Sequence, residues 1–174
     1  VFGRLTDWTW SLNLYQTDLE DLISIDTSTM ISMPVNVAKA RIRGLEAVAA
    51  ARVFGWDIDA SLTLLGPENR TRGPNEGNRL IRRPEQTFDL DVEQAFGRYR
   101  IGGNLFAAGQ SYDDLANDNR LEGYALVGLR AEYLFTDRLR LQGRIENLFH
   151  EAYETVAYFN QPGRGLYLTL RYEP

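Results

Sequence analysis

The sequence predicts an all-β chain, a portion of an antiparallel up-and-down transmembrane β-barrel, with about eight meandering strands joined by short periplasmic turns and long extracellular loops. Three observations carry this. Segments of roughly 10 to 18 residues alternate apolar and polar side chains with a period of 2, the strand rhythm and not the helical one. The breaks between them alternate in kind: short at Gly55, Gly97-Arg98 and Thr136-Asp137, and long, polar and rich in Gly, Pro, Asn and Asp over about 26–36, 66–82, 111–121 and 150–163. Aromatic side chains gather beside the short breaks.

Along the chain, the first clear strand sets Trp8, Trp10, Leu12 and Leu14 against Thr9, Ser11 and Asn13. After the first long loop a second strand runs up to the break at Gly55. The clearest follows, with Trp56, Ile58, Ala60, Leu62 and Leu64 on one face and Asp57, Asp59, Ser61 and Thr63 on the other. Phe88, Leu90 and Val92 then oppose Thr87, Asp89, Asp91 and Glu93. The Gly-rich stretch from Ile101 to Gly109 is the weakest candidate, because Gly102-Gly103 supplies no side chains to pack. Ala125, Val127, Leu129 and Ala131 oppose Gly128, Arg130 and Glu132, and Leu139, Leu141, Gly143 and Ile145 oppose Arg140, Gln142, Arg144 and Glu146. The last strand sets Leu166, Leu168, Leu170 and Tyr172 against Tyr167, Thr169 and Arg171. Strands of this kind joined in order by tight turns form an antiparallel meander.

Composition narrows the class. The longest apolar run, Ala47 to Ala51, is far short of the ~20 residues of a membrane helix. The net charge of −5 argues against a nucleic-acid partner, which requires a basic face to neutralise phosphates. No cysteine is present, so disulfides and thiolate metal sites are excluded. No charged stretch followed by an apolar one opens the chain, so no signal peptide is visible. The opening Val1-Phe2-Gly3 reads as the middle of a longer polypeptide.

In a soluble barrel or sandwich the apolar face points to a packed core, and a membrane barrel reverses this, so alternation alone does not choose. The aromatics do. Trp8, Phe54, Trp56, Phe96, Tyr99, Tyr133, Phe135 and Tyr172 fall beside a short turn or at the equivalent end of a terminal strand. A meander places all of these at one level, as the aromatic girdle of an outer-membrane barrel. The charges agree: Asp57, Asp59, Asp89, Asp91, Glu93, Arg130, Glu132, Arg140, Arg144 and Glu146 share the polar faces. There they stay hydrated in a wet lumen, whereas each would cost a few kcal/mol facing lipid.

Gly143-Arg144-Ile145-Glu146-Asn147-Leu148-Phe149-His150-Glu151-Ala152-Tyr153-Glu154 resembles the end motif of TonB-dependent receptors, in which Asn-Leu-Phe closes a strand and a Tyr follows. Thr155 to Arg164, with Pro162-Gly163-Arg164 leading into the last strand, is similar to their final extracellular loop. Upstream, Lys39 to Ala47, containing Gly44 and Glu46, is similar to another stretch of these receptors, as are Asn13-Leu14-Tyr15 and Asp21-Leu22-Ile23. The resemblance covers nearly the whole chain and implies that residues 1–174 are the C-terminal part of such a barrel. Within the family, Tyr153-Glu154-Thr155-Val156 followed by Gly163-Arg164 is similar to cobalamin (vitamin B12) receptors.

The resemblance implies a bacterial outer-membrane protein whose complete barrel has about 22 strands and an N-terminal plug. Such a receptor binds a scarce small molecule outside, here cobalamin, and imports it with energy from TonB acting through the plug. The implied partners are therefore that ligand, membrane lipid and TonB. A ferric siderophore receptor of the same family, and a passive pore or structural barrel, stand as alternatives, with a soluble binding barrel as a third class. The sequence departs from the family at its end. The family closes on an aromatic residue that marks the chain for barrel assembly, whereas Tyr172 is followed by Glu173-Pro174. Either that end is altered or Tyr172 serves.

Other chemistry is weak, and no enzyme, cofactor or metal is expected. His150 is the single histidine, so any catalytic triad or imidazole metal site would rest on it, and its place at a strand end suits a structural or solvated role. Asp57/Asp59 and Asp89/Asp91 share faces at i, i+2 but read as hydrated lumen residues. Asp113-Asp114 with Asn117, Asp118 and Asn119 has calcium-like composition and reads as an acidic, flexible loop. For ligand contact the candidates are the loop aromatics and amides Tyr112, Tyr158, Phe159, Asn160 and Gln161.

Overall fold

The computed structural model describes residues 2–5, 8–26 and 33–173, with side chains described for 8–23, 34–37 and 39–173. Thirteen strands occur in it: β1 (Phe2–Leu5), β2 (Trp8–Asp26), β3 (Met33–Val53), β4 (Trp56–Asn69), β5 (Gln86–Phe96), β6 (Tyr99–Ala108), β7 (Ser111–Tyr112), β8 (Arg120–Leu121), β9 (Tyr124–Thr136), β10 (Leu139–Glu146), β11 (Glu154–Val156), β12 (Phe159–Asn160) and β13 (Gly165–Tyr172). Nine of them form one antiparallel sheet in the order β1-β2-β3-β4-β5-β6-β9-β10-β13. Each sheet strand lies beside its predecessor in the sheet, the meander expected from the turns. The sheet is open, with β1 and β13 as its edges.

Several boundaries differ from those expected. The sheet has nine strands and not eight, because Phe2–Leu5 pairs with the start of β2. The Gly-rich stretch is strand throughout β6, paired on both sides. The loop expected over 26–36 is shorter, since β2 and β3 stay paired out to Asp26 and Met33. The next begins only after Asn69, and the loops at 111–121 and 150–163 each fold into a small hairpin, β7-β8 and β11-β12. Polar, Gly-rich composition marks a departure from the membrane-spanning sheet; it does not prevent local pairing.

Register lays out the two faces. Trp10, Ala49, Ala60, Leu90, Leu105 and Val127 are successive partners along one row, and Thr9, Ala50, Asp59, Asp91, Asn104 and Gly128 form the adjacent row on the opposite face. The apolar face is the exposed one: Trp8 is 55%, Leu14 74% and Leu168 75% accessible. An apolar face open to its surroundings and a charged face opposite it are the arrangement of a membrane barrel wall.

The turns are staggered. β5 continues three residues past Glu93, the partner of Asp57, to reach Phe96, and β9 continues three past Tyr133, the partner of Tyr99, to reach Thr136. A tilted barrel sheet requires such a stagger to keep successive turns at one level.

At the other end the strands outrun the membrane. β2 and β3 have 19 and 21 residues, against about 9–11 for a tilted membrane strand. On their outward face the last apolar row is Leu14 and Leu45; one row beyond, Arg43 donates to Gln16 at 3.0 Å, and next Arg41 pairs with Asp18 at 2.6 Å. The buried apolar cluster lies beyond the membrane level too, where Val37, Ala40 and Leu80 pack with Leu19, Leu22, Ile42 and Leu115.

Candidate functional site

The aromatics expected to form a girdle lie at the end of the sheet that carries the short turns. The Trp56 and Phe96 rings meet edge-on at 6.2 Å, Tyr99 and Tyr133 are 4.8 Å apart, and Phe135 stands edge-on to Tyr133 at 4.9 Å. Phe54, in the β3–β4 turn with φ +51°, is 96% exposed. Trp8 pairs with Ala51 and Tyr172 with Leu139, both beside the same turns.

The lumen face is organised around Arg130 of β9. Its guanidinium reaches over β6 to bind Asp91 of β5 through two bonds of 2.7 Å and Glu93 through one of 3.0 Å. Gly102 is the residue of β6 it crosses: a Cβ there would lie 2.8 Å from the Arg130 Cζ and 2.8 Å from the Val92 carbonyl oxygen. The carboxylates expected to be merely hydrated are thus partly engaged, Asp91 and Glu93 by Arg130 and Asp89 by the Ser61 hydroxyl at 3.5 Å. The motif glycine Gly44 has a similar origin, since the Tyr15 ring lies directly over it and the Tyr15 hydroxyl bonds to Glu46.

Two extracellular loops are clasped together. The Asn78 amide donates to the carbonyls of Leu115 and Ala116 at 2.9 and 3.0 Å, while Arg79 N–H donates to Asn117 Oδ1 at 2.7 Å and Asn117 returns a bond to the Arg79 carbonyl at 3.1 Å. Arg82 pairs with the buried Asp113 at 2.5 Å, and its N–H donates to the Tyr112 carbonyl. Asp114 accepts the backbone N–H groups of Ala116, Asp118 and Asn119 at 3.1, 3.3 and 2.7 Å. The segment expected to be acidic and flexible is therefore tied down, its two buried carboxylates turned to its own backbone and to Arg82.

The last loop is held by its motif. Asn147, 7% exposed and at φ +49°, donates to the Glu151 carbonyl at 2.8 Å and to the Pro162 carbonyl at 3.3 Å, and its Oδ1 accepts the Glu151 N–H at 2.8 Å. Leu148 N–H continues the ladder to the Val127 carbonyl, and Phe149 is 74% exposed. His150 has a structural role: its Nδ1 accepts the Arg164 N–H at 3.2 Å. A Cβ on Gly163 would stand 2.5 Å from that imidazole, and Arg164 reaches back to the Leu148 carbonyl.

Of the ligand candidates, Tyr158 and Phe159 stand 88% and 67% exposed at the tip of the β11-β12 hairpin, with Asn160 exposed beside them. Gln161 N–H is bonded to the Tyr153 carbonyl, and Tyr112 lies in the other hairpin, β7-β8. Tyr153 stacks on Tyr124 at 4.3 Å, which meets Phe106 at 5.9 Å. Sequence reading missed Phe106 and Tyr124, because an aromatic in an alternating strand looks like wall packing until register and loop position bring the rings together.

The family model described as TonB dependent receptor-like, beta-barrel matches residues 2–148. The vitamin B12 transporter BtuB of Photobacterium profundum is 31% identical over 169 residues, spanning 94% of this chain and 27% of that protein. Among solved structures, the ferric citrate transporter FecA in its unliganded form matches with a TM-score of 0.82 and 21% identity, over 96% of this chain and 29% of FecA. BauA, the ferric preacinetobactin receptor of Acinetobacter baumannii, matches at 0.80 with 20% identity, over 98% and 28%. The chain spans about a quarter of the length of these proteins.

Proposed function

The chain belongs to the TonB-dependent receptor β-barrel family, and on that premise we propose that it is the C-terminal barrel wall of a bacterial outer-membrane receptor that binds cobalamin and imports it with energy delivered by TonB. The observation that carries the ligand is the charge state of the lumen face. Among the described side chains of that face, Arg52, Arg100, Arg130, Arg140, Arg144 and Arg171 each lie within 4 Å of a carboxylate, Arg140 and Arg171 sharing Glu173. On the same face Asp59, Asp89 and Glu132 have no cationic partner among the described residues. A receptor for an anionic ferric chelate needs cations free to meet the ligand; the described cations of this face are already engaged by carboxylates. The identity with a vitamin B12 transporter points the same way, while the ferric-siderophore neighbours share only the fold.

In this reading the ring from Trp8 to Tyr172 is the periplasmic girdle, and Tyr112, Tyr158, Phe159, Asn160 and Gln161 are the outer ligand contacts. TonB acts through a plug outside residues 1–174. The test is transport: the full-length receptor is expressed in cells lacking their own cobalamin and siderophore receptors. Growth rescue by limiting vitamin B12 is expected, and rescue by ferric chelates without rescue by B12 would sink the cobalamin reading.

A further inference from the structure

On the outward face of β2, β3 and β4, two rows mark where the membrane wall ends. Leu14, Leu45 and Leu64 are register partners in the last apolar row, and Gln16, Arg43 and Gly66 follow one row beyond, toward the long loops. The apolar side chains from Trp56 to Leu64 cover about the length of a tilted membrane strand, ~9–11 residues. Arg43 therefore stands at the level of the lipid headgroups. We infer that this boundary is a binding site for a phosphate-headed lipid, with its phosphate on Arg43 and an acyl chain along Leu14, Leu45 and Leu64. The site lies on the opposite side of the sheet from the lumen and is independent of the imported molecule.

Arg43 differs from the cations around it. Arg41 and Arg70 are matched to Asp18 and Glu68 at 2.6 and 2.9 Å, and Lys39 stands opposite Glu20 in register. Arg43 is within ion-pairing reach of no carboxylate among the described residues. Its Nε donates to the neutral Gln16 Oε1 at 3.0 Å, and Gln16 Nε2 is in turn anchored on Asp18 at 2.9 Å. The guanidinium is so held by one edge, and among the described residues no acceptor meets its two terminal nitrogens. A fixed guanidinium with that fork open is the donor set that grips a phosphate through two bonds.

The surface below it suits a hydrocarbon chain. Leu14, Gln16, Arg43, Leu45, Leu64 and Gly66 line a shallow groove. Gly66 keeps it open beside the guanidinium, since a Cβ there would meet only the Arg43 carbonyl oxygen, at 3.9 Å. Leu14 and Leu64 are both exposed along it. Apolar contact on the leucines and a charge-assisted grip one row above them match the two halves of one amphipathic molecule. A soluble anion would use the second half only.

The test uses the full-length receptor carrying this chain, purified in neutral detergent and titrated with dioleoylphosphatidate and with dioleoylglycerol, which has the same chains and no phosphate. Native mass spectrometry reads the lipid retained. Wild type is expected to retain phosphatidate at about tenfold lower concentration than dioleoylglycerol. Arg43→Gln should weaken phosphatidate about tenfold and leave dioleoylglycerol unchanged, and Gly66→Leu, which fills the groove, should weaken both. Arg52→Gln, on the lumen face, should change neither. Heat-modifiable gel migration checks that each barrel is folded. Where Arg43→Gln does not fold, Arg43→Lys decides: it keeps the charge, loses the fork and should weaken phosphatidate about threefold or more. Equal retention of the two lipids by wild type, or full phosphatidate affinity in a folded Arg43 variant, overturns the site. A receptor that fails to bind vitamin B12 overturns the proposed function and leaves this site standing.

Discussion

Gly102 is required by what passes over it. The Arg130 side chain crosses β6 at this point to reach Asp91 and Glu93, and the Val92 carbonyl closes the space from the other side. Gly102→Ala is expected to destabilise the full-length barrel by about 1–3 kcal/mol, measured by urea unfolding in detergent. Gly143, on the outward face of β10, has nothing within 4 Å of the position a Cβ would take. Gly143→Ala should therefore be neutral or stabilising by up to about 1 kcal/mol, and an equal loss at both positions would refute the crossing-arginine account. A double-mutant cycle with Arg130→Met and Asp91→Asn should return a coupling of about 1 kcal/mol or more, since the pair is bidentate and only partly exposed.

Among the elements, the extracellular loops divide into two kinds. The β4–β5 and β6–β9 connections are joined by Asn78, Asn117, Arg82 and Asp113 and share the apolar cluster of Val37, Leu80 and Leu115. They should open as one unit. Asn117→Ala is expected to raise amide exchange in residues 70–85 and 111–121 together; a rise in the second loop only would show that they are independent. The last loop is organised around Asn147. Asn147→Ala removes its amide bonds and leaves alanine at φ +49°, which should cost about 2–3 kcal/mol and raise exchange from residue 151 to 164 while the β7-β8 hairpin stays protected.

For the whole molecule, the decisive property is which face meets the hydrocarbon. Ala60 and Ser61 are neighbours on β4 that point to opposite faces. Ala60→Arg is expected to lower folding stability in lipid by about 2–4 kcal/mol, and Ser61→Arg by less than about 1; the reverse order would mean a soluble barrel. The 174-residue polypeptide by itself presents open edges, with Leu166, Leu168, Leu170 and Tyr172 of β13 each 64% or more exposed. Unpaired edges and an apolar face both favour association. Sedimentation should show detergent-dependent oligomers, and a stable monomer without detergent would contradict the wall reading.

Strand existence, the apolar face and the short turns were legible along the chain, because period 2 and turn composition are local properties: Trp56 to Leu64 reads as a strand from its own residues alone. Even the motif at Asn147 was visible as a pattern, though its reason lay in the φ +49° turn and the bonds to Glu151 and Pro162. What the tertiary structure decided were relations between distant residues. Gly102 acquires its meaning from Arg130, Asn78 from Leu115 to Asn117, and Phe106 from Tyr124 and Tyr153. Alternation assigns each side chain to a face, but the partner it meets there depends on register, stagger and loop folding across three or more strands. The sequence by itself therefore determined a membrane barrel wall, while the paired lumen charges, on which the choice of ligand rests, came into being only when the strands were laid side by side.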